Sequence, residues 1–262
     1  MKILDDLRMA ADPVLFMKSL GMTPDLWQEG ALRHRGTDIL LCCSRQAGKS
    51  TIAAVKSLHR AIYYPKSLIL LLSPSQRQSS ELFRKVAEFC TVCNNLPERT
   101  EDSKQFMTLS NGSRIVSLPG KESSVRGYSA PSLIIEDESA QCEDELYFAV
   151  RPMLIVSKGD IMLMSTPRGK RGHFFREWEK GGDAFERIEI PATECPRIGK
   201  EDLERERERI GDFWFKQEYM CQFLEAEGQL FSYEDIEAMH SADVRPFFSG
   251  TSITSEIKPF KG

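Results

Sequence analysis

The chain has 262 residues, 41% of them hydrophobic, with 35 Lys and Arg against 39 Asp and Glu for a formal net charge of −4. That is enough apolar material for one large α/β domain or two small ones, while no window approaches the ~20 consecutive apolar residues of a membrane span. The N-terminus lacks the basic-then-apolar layout of a secretory signal, seven scattered cysteines argue for reduced thiols rather than a disulfide framework, and a polyanion would have to meet local basic patches.

Residues 1–35 read as a helical segment in which, taken alone, Trp27 is a core residue and Gln28 a surface one. Asp38-Ile39-Leu40-Leu41-Cys42 then reads as a buried strand over 38–43, and the spacing Ile52, Val55, Leu58, Ile62 predicts a helix over 50–63. The junction between them is Cys43-Ser44-Arg45-Gln46-Ala47-Gly48-Lys49-Ser50-Thr51. A loop of this kind opening a helix turns unpaired backbone N–H groups toward an anion. Gly48 lets the backbone approach closely, Lys49 supplies a point charge for outer phosphates, and the Ser50 hydroxyl is a magnesium ligand, which is the mechanics of the Walker A pattern. Cys43 stands where that pattern has its first glycine, so the strict match fails there. Ser44, Gln46, Ala47, Gly48, Lys49, Ser50 and Thr51 form the candidate nucleotide-binding set.

Further strands are expected at 67–73, 132–137, 160–165 and 185–190, with helices at 76–93, 143–152 and 171–180, an alternation that implies a parallel sheet with ligands at the strand C-termini. Cys90 and Cys93 have C-x-x-C spacing but lie in a helical pattern without a partner motif, so no zinc site is expected. Gln105–Leu109 and Ser113–Leu118 flank Ser110-Asn111-Gly112 and read as a β-hairpin inserted beside the main sheet. Leu133-Ile134-Ile135-Glu136-Asp137-Glu138 is an apolar strand ending in consecutive acids. Adjacent strand residues face opposite ways, so Asp137 is assigned to the magnesium ion together with Ser50, and Glu138 to polarising the attacking water. Arg168-Gly169-Lys170-Arg171, and Lys121 with Arg126, are the basic patches, each equally readable as a solvated loop. Glu204 to Arg209 alternate in charge along an exposed helix face, and Phe213, Trp214, Phe215, Tyr219 and Phe223 offer an apolar face expected to pack back on the core.

The ordered set Trp27-Gln28, Ser44 to Ser50, Arg126-Gly127, Ile134 to Ala140, Ser165-Thr166-Pro167 and Gln217-Glu218-Tyr219 through Phe223-Leu224 resembles the ATPase half of a phage large terminase, over about residues 20 to 235. The resemblance implies an α/β P-loop NTPase of the ASCE type: a mainly parallel sheet flanked by helices, with a small helical C-terminal subregion. It implies an ATP- and Mg2+-dependent motor that drives double-stranded DNA into a procapsid. The implied partners are a portal protein and a small terminase subunit, and the motor works as a homo-oligomeric ring, commonly described as pentameric, in the cytoplasm of the infected bacterial host. On the same basis Trp27 stacks on adenine and Gln28 reads its edge. Arg45 reaches phosphate or orders the acids across the cleft, Arg126 is an arginine finger acting on a neighbour's ATP, and Ser165 and Thr166 couple the γ-phosphate to movement. The expected organisation is a packaging ATPase domain at 1–240, containing the adenine-side segment 1–35 and a lid-like subregion 191–240, followed by a linker or appended tail at 241–262. A nuclease domain, and DNA cutting with it, is not expected in this chain. Two other classes share the two motifs: a helicase, for which the room after residue 191 is small, and a nucleotide-binding assembly protein with little turnover.

Overall fold

Short apolar runs bounded by polar turns become strands whose side chains are covered on both faces, the pattern of a parallel sheet sandwiched between helices. The computed structural model describes residues 3–36 and 38–225, with Asp235, Ala238 and Met239. The remaining parts of the expected 191–240 subregion and the whole tail 241–262 lie outside the described residues. The chain divides into two units, Met1–Leu224 and Glu225–Gly262, and the first is the subject below.

In chain order its elements are helices α1 (Ile3–Ala11), α2 (Pro13–Ser19) and α3 (Leu26–Arg33), strand β1 (Asp38–Cys43), α4 (Lys49–Tyr63), β2 (Leu68–Ser73), α5 (Gln76–Val92), β3 (Arg99–Asp102), β4 (Phe106–Leu109), β5 (Arg114–Pro119), α6 (Glu122–Val125), β6 (Leu133–Asp137), α7 (Asp144–Ser157), β7 (Asp160–Ser165), α8 (Gly172–Lys180), β8 (Phe185–Ile190), α9 (Lys200–Ile210) and α10 (Asp212–Tyr219). One eight-stranded sheet runs in the order β3-β4-β5-β2-β6-β7-β1-β8. Pairings from β5 to β8 are all parallel, while β3 and β4 join antiparallel at one edge. The C-terminal ends of β1, β6 and β7 therefore open on one rim, with β7 between the other two. Helices flank the sheet on both sides, the fold expected from the resemblance.

Side chains of α2, α4 and α5, among them Phe16, Ile52, Leu58 and Phe83, cover one sheet face, and Leu146, Val150 and Phe174 of α7 and α8 cover the other. Three details depart from the sequence reading. The hairpin does not lie beside the sheet: β5 pairs along its length with β2, because Ile115 and Val116 are both buried, so the hairpin extends the sheet itself. Strand β3 was not anticipated, since all four of its residues are exposed and polar and carry no alternation. Helix α7 passes through Pro152 to Ser157, where the Ser157 hydroxyl donates to the Pro131 carbonyl at 2.7 Å and Lys158 turns left-handed with φ 52°. The C-terminal aromatics also divide. Phe215 fills a separate small cluster with Ala192 and Leu203, Phe223 packs against the α8-side core, and Trp214 remains exposed.

Candidate active site

The loop between β1 and α4 is fixed at its start by two long-range backbone bonds. The Ser44 amide donates to the Ile190 carbonyl at 2.9 Å and the Arg45 amide to the Glu218 carbonyl at 3.1 Å. Gln46 then takes φ 63° and Gly48 φ 99°, two left-handed steps that turn the chain sharply into α4. The second suits glycine for a further reason. A Cβ on Gly48 would lie 2.8 Å from Gln28 Nε2, so the missing side chain leaves room for α3 against the loop. Ser44 and Ala47 are fully buried and hold the loop's underside.

Lys49 crosses from this loop to the acidic strand end, where its Nζ donates to Glu138 Oε1 at 2.7 Å. Burial acts to lower the Lys49 pKa, but the Glu138 and Asp137 carboxylates outweigh it and raise it. Asp137 ends β6 in a buried position, and burial pushes its carboxyl up to about 6, with Lys49 opposing and Glu138 adding to the shift. One Asp137 oxygen accepts from the Glu138 amide at 3.0 Å. Glu138 itself has left-handed backbone, φ 54°, which turns its side chain out of the strand line toward Lys49. Ser50, Asp137 and Glu138 line one cleft of ≈ 350 Å³, whose opposite wall is the first half of α5 with Arg77, Arg84 and Lys85.

Gln28 is buried, and its amide oxygen accepts from the Asp25 backbone N–H at 3.0 Å, while its amide nitrogen faces Gly48. Trp27 packs partly against the core with its buried Nε1–H unpaired among the described residues. Gln28 thus lies directly against the loop at Gly48. Arg45 does not turn toward Asp137 and Glu138, but pairs through Nε with Glu218 Oε2 at 2.5 Å. Arg126 stands at the end of α6, largely exposed and paired with Glu122, and makes no hydrogen bond or ion pair with the loop or the acids among the described residues. Ser165 and Thr166 lie at the end of β7, and the buried Ser165 hydroxyl lacks a hydrogen-bond partner among the described residues.

Sequence reasoning passed over two residues that shape the site. Arg197, in the loop before α9, donates to the Ala47 carbonyl at 2.8 Å and pairs with Asp25 at 2.9 Å, tying loop, α3 and C-terminal subregion together. Lys85 donates to Thr51 Oγ1 at 3.2 Å and joins α5 to the first turn of α4. Neither carries a local motif; each is found only through a contact across the fold.

The residues present fit a magnesium nucleotide. The Ser50 hydroxyl and the buried Asp137 carboxylate are hard oxygen donors on the wall of one cleft, suited to an ion that keeps several waters and takes further ligands from phosphates. The Lys49 ammonium, bonded to the Glu138 carboxylate of that cleft, brings positive charge beside it, and α4 begins at Lys49 itself.

A family model described as "Terminase large subunit, T4likevirus-type, N-terminal" matches residues 40–238, well over half of the chain. The chain is similar to the terminase large subunit of Escherichia phage T5, 29% identical over 210 residues that cover 76% of this chain and 46% of the relative. It is also similar to that of Thermus phage G20c, 25% identical over 256 residues, covering 84% and 53%. The chain thus spans about half the length of these curated relatives. Among solved structures, the large terminase ATPase domain of Thermus phage P74-26 superposes with a TM-score of 0.69 at 21% identity, covering 80% of this chain and 97% of that one. The large terminase of bacteriophage D6E in complex with ADP superposes at 0.59 and 12% identity, covering 72% and 49%. At these identities the two structures show a shared fold.

Proposed function

This chain belongs to the large terminase family, of the T4-like-virus type, and from that premise we propose that it is the Mg2+-dependent ATPase of a motor that drives double-stranded DNA into a procapsid. The observation that carries the reading is the Lys49–Glu138 pair, which joins the phosphate loop to the acidic strand across the cleft that also holds Ser50 and Asp137. Lys49 exchanges Glu138 for the outer phosphate oxygens when ATP binds, and this frees the Glu138 carboxylate to accept a proton from the attacking water. Ser50 and Asp137 would hold Mg2+, which when bound neutralises charge on the phosphates. Ser44, Gln46, Ala47, Gly48 and Thr51 shape the loop around the phosphates, with Trp27 and Gln28 on the base side; the approach of the Gln28 amide to Gly48 supports a place for it beside the loop.

Arg45 leaves Glu218 for phosphate in this reading. Arg126, exposed and paired among the described residues with Glu122 of its own helix, reaches the ATP of a neighbouring subunit in a ring, where it neutralises charge on the transferred phosphoryl group. Ser165 and Thr166, on the strand between loop and acids, pass the loss of that group to the rest of the domain. The portal protein and small terminase subunit are the proposed partners, and the host cytoplasm is the proposed setting. Organisation follows the same reading, with a packaging ATPase domain over 1–240. DNA contacts are directed at phosphates, because a motor must pass over any sequence, so affinity falls steeply with salt.

The test is ATP turnover against protein concentration, with and without linear duplex DNA, for wild type and Arg126→Ala. Turnover per subunit that rises with concentration and disappears in the variant supports a ring with shared sites. Concentration-independent turnover that survives the substitution overturns the shared site and leaves a self-contained ATPase.

A further inference from the structure

A second charged cluster lies directly behind the acids and has no part in the chemistry above. Glu136 is fully buried, and strand alternation sends its side chain to the face opposite Asp137. Its Oε1 accepts from His173 Nε2 at 2.8 Å and from the Ser139 hydroxyl at 3.0 Å, and that imidazole nitrogen is also 3.0 Å from Ser139 Oγ. His173 belongs to the first turn of α8. Its Nδ1 lies 3.2 Å from Asp144 Oδ1, and its backbone amide donates to the same oxygen at 2.6 Å. Arg176 holds the other Asp144 oxygen at 2.6 Å, and the Tyr147 ring stacks on the imidazole at 4.8 Å and 8°. The ring is thus fixed by α7 and by its own helix. From there it grips the chain on both sides of Asp137 and Glu138. Burial acts to lower the His173 pKa, but Glu136 and then Asp144 outweigh it and raise it.

Glu138 needs such a grip. A side-chain-bearing residue at φ 54° is in an unfavourable region that persists only where its surroundings enforce it. The turn after it is closed by the Gln141 amide on the Glu138 carbonyl at 2.8 Å and the Cys142 amide on the Ser139 carbonyl at 3.1 Å. We propose that His173 is a positioning residue for Glu138, holding the turn through Glu136 and Ser139 so that the Glu138 carboxylate faces the cleft. Because α8 follows the Ser165-Thr166 strand end after a short loop, the same latch ties the catalytic turn to the segment assigned to coupling. This inference rests on the ATPase reading for its consequence, though not for its geometry.

The test measures three quantities for wild type, His173→Leu and His173→Gln: steady-state ATP turnover, the Kd of a slowly hydrolysed ATP analogue, and hydrogen exchange of the amides at 139–142. Removing the latch in His173→Leu is expected to lower kcat by about tenfold or more. The analogue Kd does not weaken by more than about twofold, since the phosphate loop is held by separate bonds, and the 139–142 amides exchange about tenfold faster. His173→Gln, which keeps a donor for Glu136, recovers part of both losses. Unchanged kcat and exchange overturn the proposal. So does a parallel loss of kcat, analogue affinity and phosphate-loop protection, which marks a merely structural role. If His173→Leu does not fold, Ser139→Ala is held to the same outcomes. A wild-type protein without turnover sinks the ATPase reading, and the exchange data alone then decide the latch.

Discussion

In Glu138→Gln, nucleotide binding and turnover are expected to move in opposite directions. The Lys49 ammonium is committed to Glu138 at 2.7 Å, with side chains 12% and 23% exposed, so a triphosphate that recruits Lys49 must first break this pair. Two unit charges at that separation attract by about 6 kcal/mol at an effective dielectric of ~20. Desolvation offsets most of that, leaving the net worth of a charged hydrogen bond, about 1.5–3 kcal/mol. Gln keeps the shape and offers a neutral bond of about 0.5–1.5 kcal/mol. The difference, about 1–1.5 kcal/mol, becomes available to the nucleotide and tightens its Kd roughly tenfold. Turnover falls by about 10²–10⁴, because an amide cannot accept the proton of the attacking water. Equilibrium binding of ATP and single-turnover hydrolysis measure the two effects on one preparation. Weaker binding would remove the competition between Glu138 and phosphate, and retained turnover would remove Glu138 from the chemistry.

Gly48→Ala places a Cβ 2.8 Å from Gln28 Nε2 at φ 99°. The strain is expected to lower stability by about 1–2 kcal/mol and to weaken ATP binding, as read by melting temperature and Kd; an unchanged pair of values would contradict the close approach of α3 to the loop. His59 is buried and pairs with the Met9 carbonyl at 3.0 Å, and burial holds its pKa down at about 4 against a usual 6.5. A depressed folded pKa means that stability is complete above 6.5 and is lost as pH falls toward 4. Between about pH 7 and about pH 5 this one group removes about 2 kcal/mol. His59→Phe keeps the ring against Phe16 and Tyr63 and should flatten the pH slope of denaturant unfolding by that amount; equal slopes in the two proteins would refute a neutral buried imidazole.

The core of the sheet was legible because β1, β2, β6 and β7 are short, largely apolar runs ended by polar turns, and these four and the more polar edge strand β8 were each anticipated within one residue. The loop from Ser44 to Thr51 and the acids Asp137 and Glu138 were legible because their chemistry needs those residue types close together in sequence. Their approach in space follows from β7 lying between β1 and β6, which a parallel topology permits but no local pattern states. What escaped was set by distant contacts. Strand β3 is exposed and charged and exists only because β4 offers it an edge. Arg45 had Glu218 as an unseen alternative to the acids, Arg197 reaches back to Asp25 and Ala47, and His173 sits in no local motif because its partner Glu136 lies 37 residues earlier in the chain. Helix α7 runs past its expected end, through Pro152, to Ser157, whose hydroxyl donates to the Pro131 carbonyl, with Leu154 of the added turns buried in the core.

The two backbone bonds that fix the start of the phosphate loop end on Ile190, at the close of β8, and on Glu218, close to the end of the first unit. A growing chain on the ribosome therefore exposes Ser44 and Arg45 long before their acceptors exist, at a synthesis rate of about 5–20 residues per second. For about ten seconds or more the nascent strand β1 ends in a loop whose main chain has only water to bond. Competence to bind nucleotide is then acquired late and in one step, when the segment through Glu218 has emerged and closed over the loop. A chain cut short before Glu218 would thus carry the phosphate-loop sequence without the main-chain acceptor that fixes Arg45.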